Sequence, residues 1–294
     1  MMRISVATGL TPPVDRGMAE LRAYERAGCY DAVFLPDDPE ILDVFATMAA
    51  AGMVTERIRF GTAVSDVIRR HPVLLAHQAV TIDHLTRGRL ILGVGAGKAE
   101  NLLPYGFDLA RPVDRLAEAL TVVRKLWRGT EPVDFDGEFY QLRGAESALR
   151  PYTPGGPPVW IGAQGALMLD LVGQHADGWL PALMPVDAYE DAMDEIDDAA
   201  LAAGRNPSSI TRALFPVIAL TDDRDQRPVT DLTFDKRTQA SAMCGTVDQV
   251  EERLRAYEKA GCEHVVMVNL TPVAYPDQAA HAGGLFDTLA SRFA

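Results

Sequence analysis

Lysine is scarce: the 294 residues hold four, Lys98, Lys125, Lys236 and Lys259, and the formal net charge is -13. A chain with so large a net negative charge is not suited to nucleic acid or an anionic membrane, both of which attract basic patches. Cysteine is scarce too. Cys29, Cys244 and Cys262 are an odd number without C-x-x-C spacing, which argues against a disulfide framework and a thiolate metal site and predicts reduced, mostly buried thiols. No apolar run is long enough to cross a bilayer and no basic-then-apolar segment opens the chain, so a soluble cytoplasmic protein is expected. No Gly-x-Ser-x-Gly elbow occurs, which removes the commonest hydrolase reading. His71, His77 and His84 are not spaced with carboxylates as metal ligands; structural or solvent-facing roles and no metal are expected.

What is abundant is alternation. Runs typical of buried strands, at 3–7, 32–36, 59–66, 90–97, 158–163, 178–183, 213–221 and 264–270, are separated by helical patterns near 15–27, 41–51, 73–85, 112–128, 165–174, 187–203 and 247–260, with a last one near 277–292. Eight strand-then-helix units in one 1–294 domain predict an α/β fold, a TIM (β/α)8 barrel. A doubly wound sheet would place a dinucleotide fingerprint near its first strand, and Val6-Ala-Thr-Gly-Leu10 does not supply one. An internal echo suits equivalent units. Leu21-Arg-Ala-Tyr-Glu-Arg-Ala-Gly-Cys29 differs from Leu254-Arg-Ala-Tyr-Glu-Lys-Ala-Gly-Cys262 only at Arg26 and Lys259, and both read as a helix end, a glycine cap and a strand entry.

The unit spacing leaves insertions after strands four and seven. Residues 98–110 follow strand four, and 133–142 form a small hairpin around Asp136-Gly137 ahead of strand five. The charged segment Asp222 to Cys244 follows strand seven and carries Arg224, Arg227 and Arg237, which could clamp an anion. In a barrel these excursions frame a pocket at the C-terminal face. Gly93, Gly95 and Gly97 end strand four, where missing side chains would let a planar or phosphorylated ligand approach; a bulge or tight turn explains the same glycines.

Several motifs in order resemble the bacterial luciferase-like superfamily. They are Gly61-Thr-Ala-Val-Ser-Asp66, Arg69-Arg-His-Pro72, Thr81-Ile-Asp-His-Leu-Thr-Arg-Gly-Arg89, Leu92-Gly-Val-Gly-Ala-Gly97, Glu100-Asn101, Asp134-Phe-Asp-Gly-Glu-Phe-Tyr140, Val159-Trp-Ile-Gly-Ala163 and Ala176-Asp-Gly-Trp179. The pattern is most similar to the branch that uses the 8-hydroxy-5-deazaflavin coenzyme F-420, typified by methylenetetrahydromethanopterin reductases. The resemblance implies hydride transfer between F-420 and a small organic substrate, a ketone, alcohol or pterin-like molecule, and a homodimer. A monooxygenase using flavin mononucleotide (FMN) and a catalytically silent flavin- or deazaflavin-binding protein are the alternatives.

The resemblance also implies site residues. Ala63-Val64 matches a non-prolyl cis peptide set against the cofactor ring, and Asn101 an asparagine that hydrogen-bonds it. Gly162, Ala163, Gln164, Gly165 and Ala166 match the strand-to-helix turn that receives the cofactor phosphate, where free amides and the helix dipole favour an anion. Gly97 lies in the cofactor-side glycine motif. Asp37 matches a cofactor-facing aspartate with a catalytic part. Two positions depart from the pattern: Asp38 stands where relatives have a histidine, and Lys98 where many have a glutamate. Asp37, Asp38 and Lys98 are therefore the expected acid/base candidates.

Overall fold

The computed structural model describes residues 1–146, 149–228 and 242–294. Its strands in chain order are β1 (Arg3–Ala7), β2 (Ala32–Leu35), β3 (Arg59–Thr62), β4 (Ser65–Asp66), β5 (Leu90–Gly95), β6 (Val133–Asp136), β7 (Gln141–Ala145), β8 (Val159–Ile161), β9 (Gly178–Trp179), β10 (Thr211–Leu214), β11 (Val217–Leu220), β12 (Met243–Gly245) and β13 (His264–Asn269). Parallel pairing runs β1-β2-β3-β5-β8-β9-β10-β13, and β13 pairs back onto β1 from Arg3↔His264 to Ala7↔Val268. The sheet closes, helices fill the connections, and the fold is the eight-stranded α/β barrel that the alternation predicts.

Closure follows from strands that are apolar on both faces. Ile4, Val6, Val33, Leu35, Leu90, Leu92 and Val94 pack outward into the main core. Phe34, Ile91, Trp160, Leu180, Ala213 and Val266 point inward and form a separate cluster that fills the barrel. Each fully buried large side chain contributes roughly 1.5–3 kcal/mol, so a strand register that exposed either face would lose heavily.

Each helix offers the sheet one apolar stripe. In the helix Pro112–Arg128 the buried residues Leu116, Ala119, Leu120, Val123, Leu126 and Trp127 recur at helical spacing. Pro112 opens it, Asp114 sits in the first turn and Lys125 and Arg128 in the last, each where the helix dipole favours it. The helix Val247–Lys259 starts with a capping box between Thr246 and Gln249. The echoed segments occupy equivalent positions: Leu21 and Leu254 are fully buried, and Gly28 and Gly261 take left-handed φ of 72° and 94° just past their helices.

Four local differences from the sequence reading have physical causes. The third strand breaks between β3 and β4 at a cis Ala63-Val64 peptide. The seventh breaks between β10 and β11 at Phe215-Pro216, where proline removes a ladder donor. The hairpin turns over Gly137–Tyr140 rather than tightly at Asp136-Gly137, because Glu118 accepts from the amides of Glu138, Phe139 and Tyr140 at 2.8, 2.9 and 3.2 Å. Cys244, expected in a loop, lies in β12, whose three residues pair with β11. Lys236 and Arg237 fall outside the described residues. All three cysteines are free, Cys262 buried and the others half-buried. Among the described residues no helix is long and apolar enough to cross a membrane.

Candidate active site

The C-terminal ends of the barrel strands hold most of the anticipated residues. Their floor is apolar: Ala63, Val64, Phe215 and Val268 are partly buried and pack on the inner cluster. Below them Phe34 and Trp160 lie with ring centroids 5.5 Å apart, and Trp160 meets the His264 ring edge-on at 5.0 Å. This plug closes the barrel, so a ligand is confined to the mouth.

The glycines of β5 turn out to serve the protein's own packing. A Cβ at Gly93 would lie 1.9 Å from the Thr62 carbonyl oxygen, and one at Gly95 would lie 2.8 Å from Val64 Cγ2. The close approach expected from a ligand at these two positions is made by the neighbouring strand, which the absent side chains let fold inward. Gly97 takes φ 92°, the left-handed region that favours glycine, and a Cβ there would crowd Leu102 Cδ1 at 2.6 Å.

Asp37 and Asp38, adjacent in sequence, have different surroundings. Asp37 is buried, and its carboxylate accepts from Arg70 Nε and Nη2, both at 2.9 Å, and from Ser65 Oγ at 2.8 Å. Arg70 also donates to Asp43 at 2.8 Å and stacks over Phe45 with its guanidinium carbon 4.7 Å from the ring centroid. Burial disfavours the Arg70 charge, but the hydrogen bonds it donates to Asp37 and Asp43 override it and push the pKa up. Arg69 reaches the Asp37 backbone carbonyl and pairs with Asp66 at 2.6 Å. Asp37 is thus occupied by protein donors. Asp38 is half-buried at the mouth, and its Oδ1 accepts from Asn101 Nδ2.

The structure does not bring Lys98 to Asp37. Lys98 is exposed, flanks the short helix Ala99–Leu102, and makes no side-chain hydrogen bond or ion pair among the described residues. Across the mouth, Gly165 caps the helix Ala166–His175 with an extended backbone, no side-chain cap and no acidic residue in the first turn. Space around Gly165 is open, with no atom within 4 Å of an added Cβ. Gln164 donates to the Ala182 carbonyl and ties the turn to the next strand exit. A Cβ added at Gly162 would lie 3.4 Å from both Val64 methyls, and Ala163 is buried beneath the turn while its carbonyl accepts from Trp179 Nε1 at 3.0 Å.

The two arginines around Asp37 had no assigned role in the sequence reading. Their signal was present: Arg69-Arg70 follows the third strand, where a barrel presents loops to the site face. His71, by contrast, is structural as expected. It caps the helix Pro72–Thr86, with Nδ1 accepting from the Val73 amide at 3.3 Å, and its ring meets Tyr140 edge-on at 5.1 Å.

A surface cleft of about 850 Å³ lies elsewhere, between the ends of the helices Pro112–Arg128 and Ala166–His175, lined by Arg124, Arg205, His175 and Asp177. That is the opposite end of the barrel. Arg205 is spent there on the carbonyls of Gly173 (2.6 Å) and Ala176, and Arg124 on Asp177. These contacts complete helix C-termini, and chemistry is better placed at the mouth.

A closed (β/α)8 barrel with an apolar floor, an acid-amide pair and an uncapped helix start at its C-terminal face belongs to the ligand-binding barrels. Residues 1–228 match the model of the luciferase-like monooxygenase family, and the chain belongs to that family. It is 40% identical over 172 residues to a phthiodiolone/phenolphthiodiolone dimycocerosates ketoreductase of Mycobacterium bovis (strain BCG / Pasteur 1173P2), covering 58% of this chain and 45% of that protein. It is 28% identical over 197 residues to a 5,10-methylenetetrahydromethanopterin reductase of Archaeoglobus fulgidus, covering 67% of this chain and 58% of the other. The aligned part thus spans about half the length of these curated relatives. The fold superposes on an F420-dependent secondary alcohol dehydrogenase in complex with an F420-acetone adduct, with TM-score 0.84 and 20% identity over 98% of both chains.

Proposed function

We propose that this protein is an oxidoreductase that exchanges hydride between coenzyme F-420 and an uncharged carbonyl or alcohol substrate. The observation that carries it is the pairing, across one apolar floor, of a half-buried carboxyl held by an amide with an uncapped helix N-terminus. The names of the similar proteins support it: a ketoreductase, a methylene-group reductase and an F420-dependent alcohol dehydrogenase.

The residues present fit the cofactor. The uncapped amides at Ala166 and Leu167, with open space at Gly165 and no acidic residue in the first turn, suit a phosphate. Ala63 and Val64 offer an apolar surface to a planar ring, Gly162 and Ala163 continue it toward the turn, and Gly97 shapes the loop that carries Asn101. Bound F-420 would supply the ring carbon that gives or takes hydride. Asp38 holds the proton: in reduction its carboxyl protonates the substrate oxygen as the carbonyl carbon gains hydride, and in oxidation its carboxylate accepts that proton. Asn101 orients Asp38. Asp37 is a positioning residue, its carboxylate fixing Arg70 and Ser65 beneath the loop, and Lys98 contributes charge at the rim.

The family's monooxygenase description favours FMN as the second reading. Fluorescence titration of the protein with F-420 and with FMN, followed by turnover of acetone and 2-propanol, tests the assignment. Tight F-420 binding with turnover is expected. Preferential FMN binding overturns it in favour of the monooxygenase, and binding without turnover across a broad substrate panel in favour of a silent binder. The resemblance further supports a cytoplasmic homodimer; sedimentation of the purified chain reads the oligomer.

A further inference from the structure

The segment after β5 presents large apolar side chains to solvent beside the site. Leu103, Tyr105 and Phe107 are 57%, 55% and 37% exposed within five residues. Scattered exposed hydrophobics are ordinary, but three on one short segment at a pocket edge form a patch. The segment is held in place. Leu102 is fully buried against Gly97, the Gly106 amide donates to Leu103 O at 3.1 Å, and the Phe107 amide donates to Leu102 O at 3.2 Å. Gly106, at φ 79°, makes the turn that projects the flanking residues.

The patch follows Asn101 directly, and Asn101 holds Asp38. At the same end of the barrel lies the floor of Ala63, Val64, Phe215 and Val268, all apolar and partly buried. A path from the reacting pair over this floor to the rim would meet apolar side chains, with Lys98, Glu100 and Asp108 the charged residues of the segment 98–110. Resting on the oxidoreductase reading, we infer that this path takes the aliphatic chain of the substrate, and that the substrate class is lipophilic ketones or secondary alcohols with the reacting carbon near Asp38 and the chain lying over Leu103, Tyr105 and Phe107. Bound reduced F-420 would supply the hydride that the carbonyl carbon gains and Asp38 the proton to its oxygen, so that the carbonyl becomes an alcohol as the cofactor is oxidised.

The test is a series of methyl ketones from acetone to 2-decanone with reduced F-420, run on the wild type, Leu103→Ser and Tyr105→Ser. Full burial of a methylene corresponds to about a fourfold gain in affinity, so a half-exposed rim should raise kcat/KM roughly twofold per methylene. The serine variants should flatten that dependence. Saturation-transfer NMR of 2-octanone with the oxidised cofactor reads the contact without turnover, and the chain methylenes should saturate in the wild type and lose saturation in the variants. A flat series with acetone still reduced overturns the substrate class and leaves the oxidoreductase reading intact, whereas failure to bind F-420 overturns both. A flat series with self-association that Tyr105→Ser abolishes overturns it in favour of a contact between copies.

Discussion

Asn101 donates through Nδ2 to Oδ1 of Asp38, joining the loop after β5 to the end of β2. That bond orients the carboxyl at the mouth, so Asn101→Ala should lower kcat by about 10- to 10²-fold while F-420 affinity changes little. Asp38→Asn removes the proton and should lower kcat by about 10²- to 10⁴-fold, with F-420 affinity changed by only a few-fold. An unchanged kcat in Asn101→Ala would reduce the pair to a structural contact. Lys98→Ala, at an exposed position with no ion pair among the described residues, should change stability by less than about 0.5 kcal/mol and leave turnover within a few-fold of the wild type.

Asp37 and Asp43 share Arg70 but differ in burial, with side chains 4% and 49% exposed. Asp37→Asn takes the buried charge from a bidentate grip on Arg70, which keeps only Asp43, and should cost about 1.5–3 kcal/mol, seen as a fall of several degrees in Tm. Asp43→Asn keeps an acceptor for the Ala46 amide and loses only a solvent-screened charge, so its cost should stay below about 1 kcal/mol. Equal Tm values for the two variants would contradict this ranking.

Barrel closure was legible in the sequence because β2 and β5 are apolar on both faces and the echoed helix ends suit two equivalent units. The site was legible only in part. Asp38 and Asn101 meet, but sequence does not show that Asp37 is consumed by Arg70, because that bond joins residues 33 apart through a bulged strand. Gly93 and Gly95 were ambiguous for a related reason: an absent side chain does not say whether the neighbour is a ligand or, as here, Thr62 and Val64.

The glycine assignment has its own consequence. Gly93→Ala would set a methyl 1.9 Å from a backbone oxygen that no side-chain rotation can move away. Overpacking of this kind costs about 1–3 kcal/mol, and the backbone contact puts this case at the upper end. Urea unfolding measures it, and an unchanged midpoint would mean that the Thr62 carbonyl is free to shift.

His264 lies fully buried at the barrel base, with Nε2 2.7 Å from Ser5 Oγ and Nδ1 without a partner among the described residues. Burial, reinforced by the charges of Arg3 and Arg59, pushes its pKa well below the ordinary 6.5. Below pH 6.5 the unfolded chain binds a proton that the folded chain refuses. The stability tied to the neutral ring is thus complete above 6.5 and is lost as pH falls toward the folded-state pKa, by at most about 1.4 kcal/mol per pH unit. Unfolding free energies between pH 7.5 and 5 should fall less steeply in His264→Gln than in the wild type. An identical slope would assign the acid sensitivity to other groups.

Gly165 separates the fold from the ligand. Its φ of -104° and ψ of 156° suit any residue, and the space around it is open, so Gly165→Ala and Gly165→Asp should both fold with Tm close to the wild type. An aspartate there can cap the helix itself, since its carboxylate can accept from the amides that an anion would otherwise use. If the cofactor phosphate sits at this turn, Gly165→Asp weakens F-420 binding by competition for the amides and by like-charge repulsion, while Gly165→Ala has a much smaller effect. The repulsive part is screened by salt, so the gap between the two variants should narrow as ionic strength rises. Fluorescence titrations of the three proteins at low and high salt measure this directly. Equal affinity for F-420 in wild type and Gly165→Asp would move the phosphate to another strand exit while leaving the Asp38 and Asn101 assignment standing.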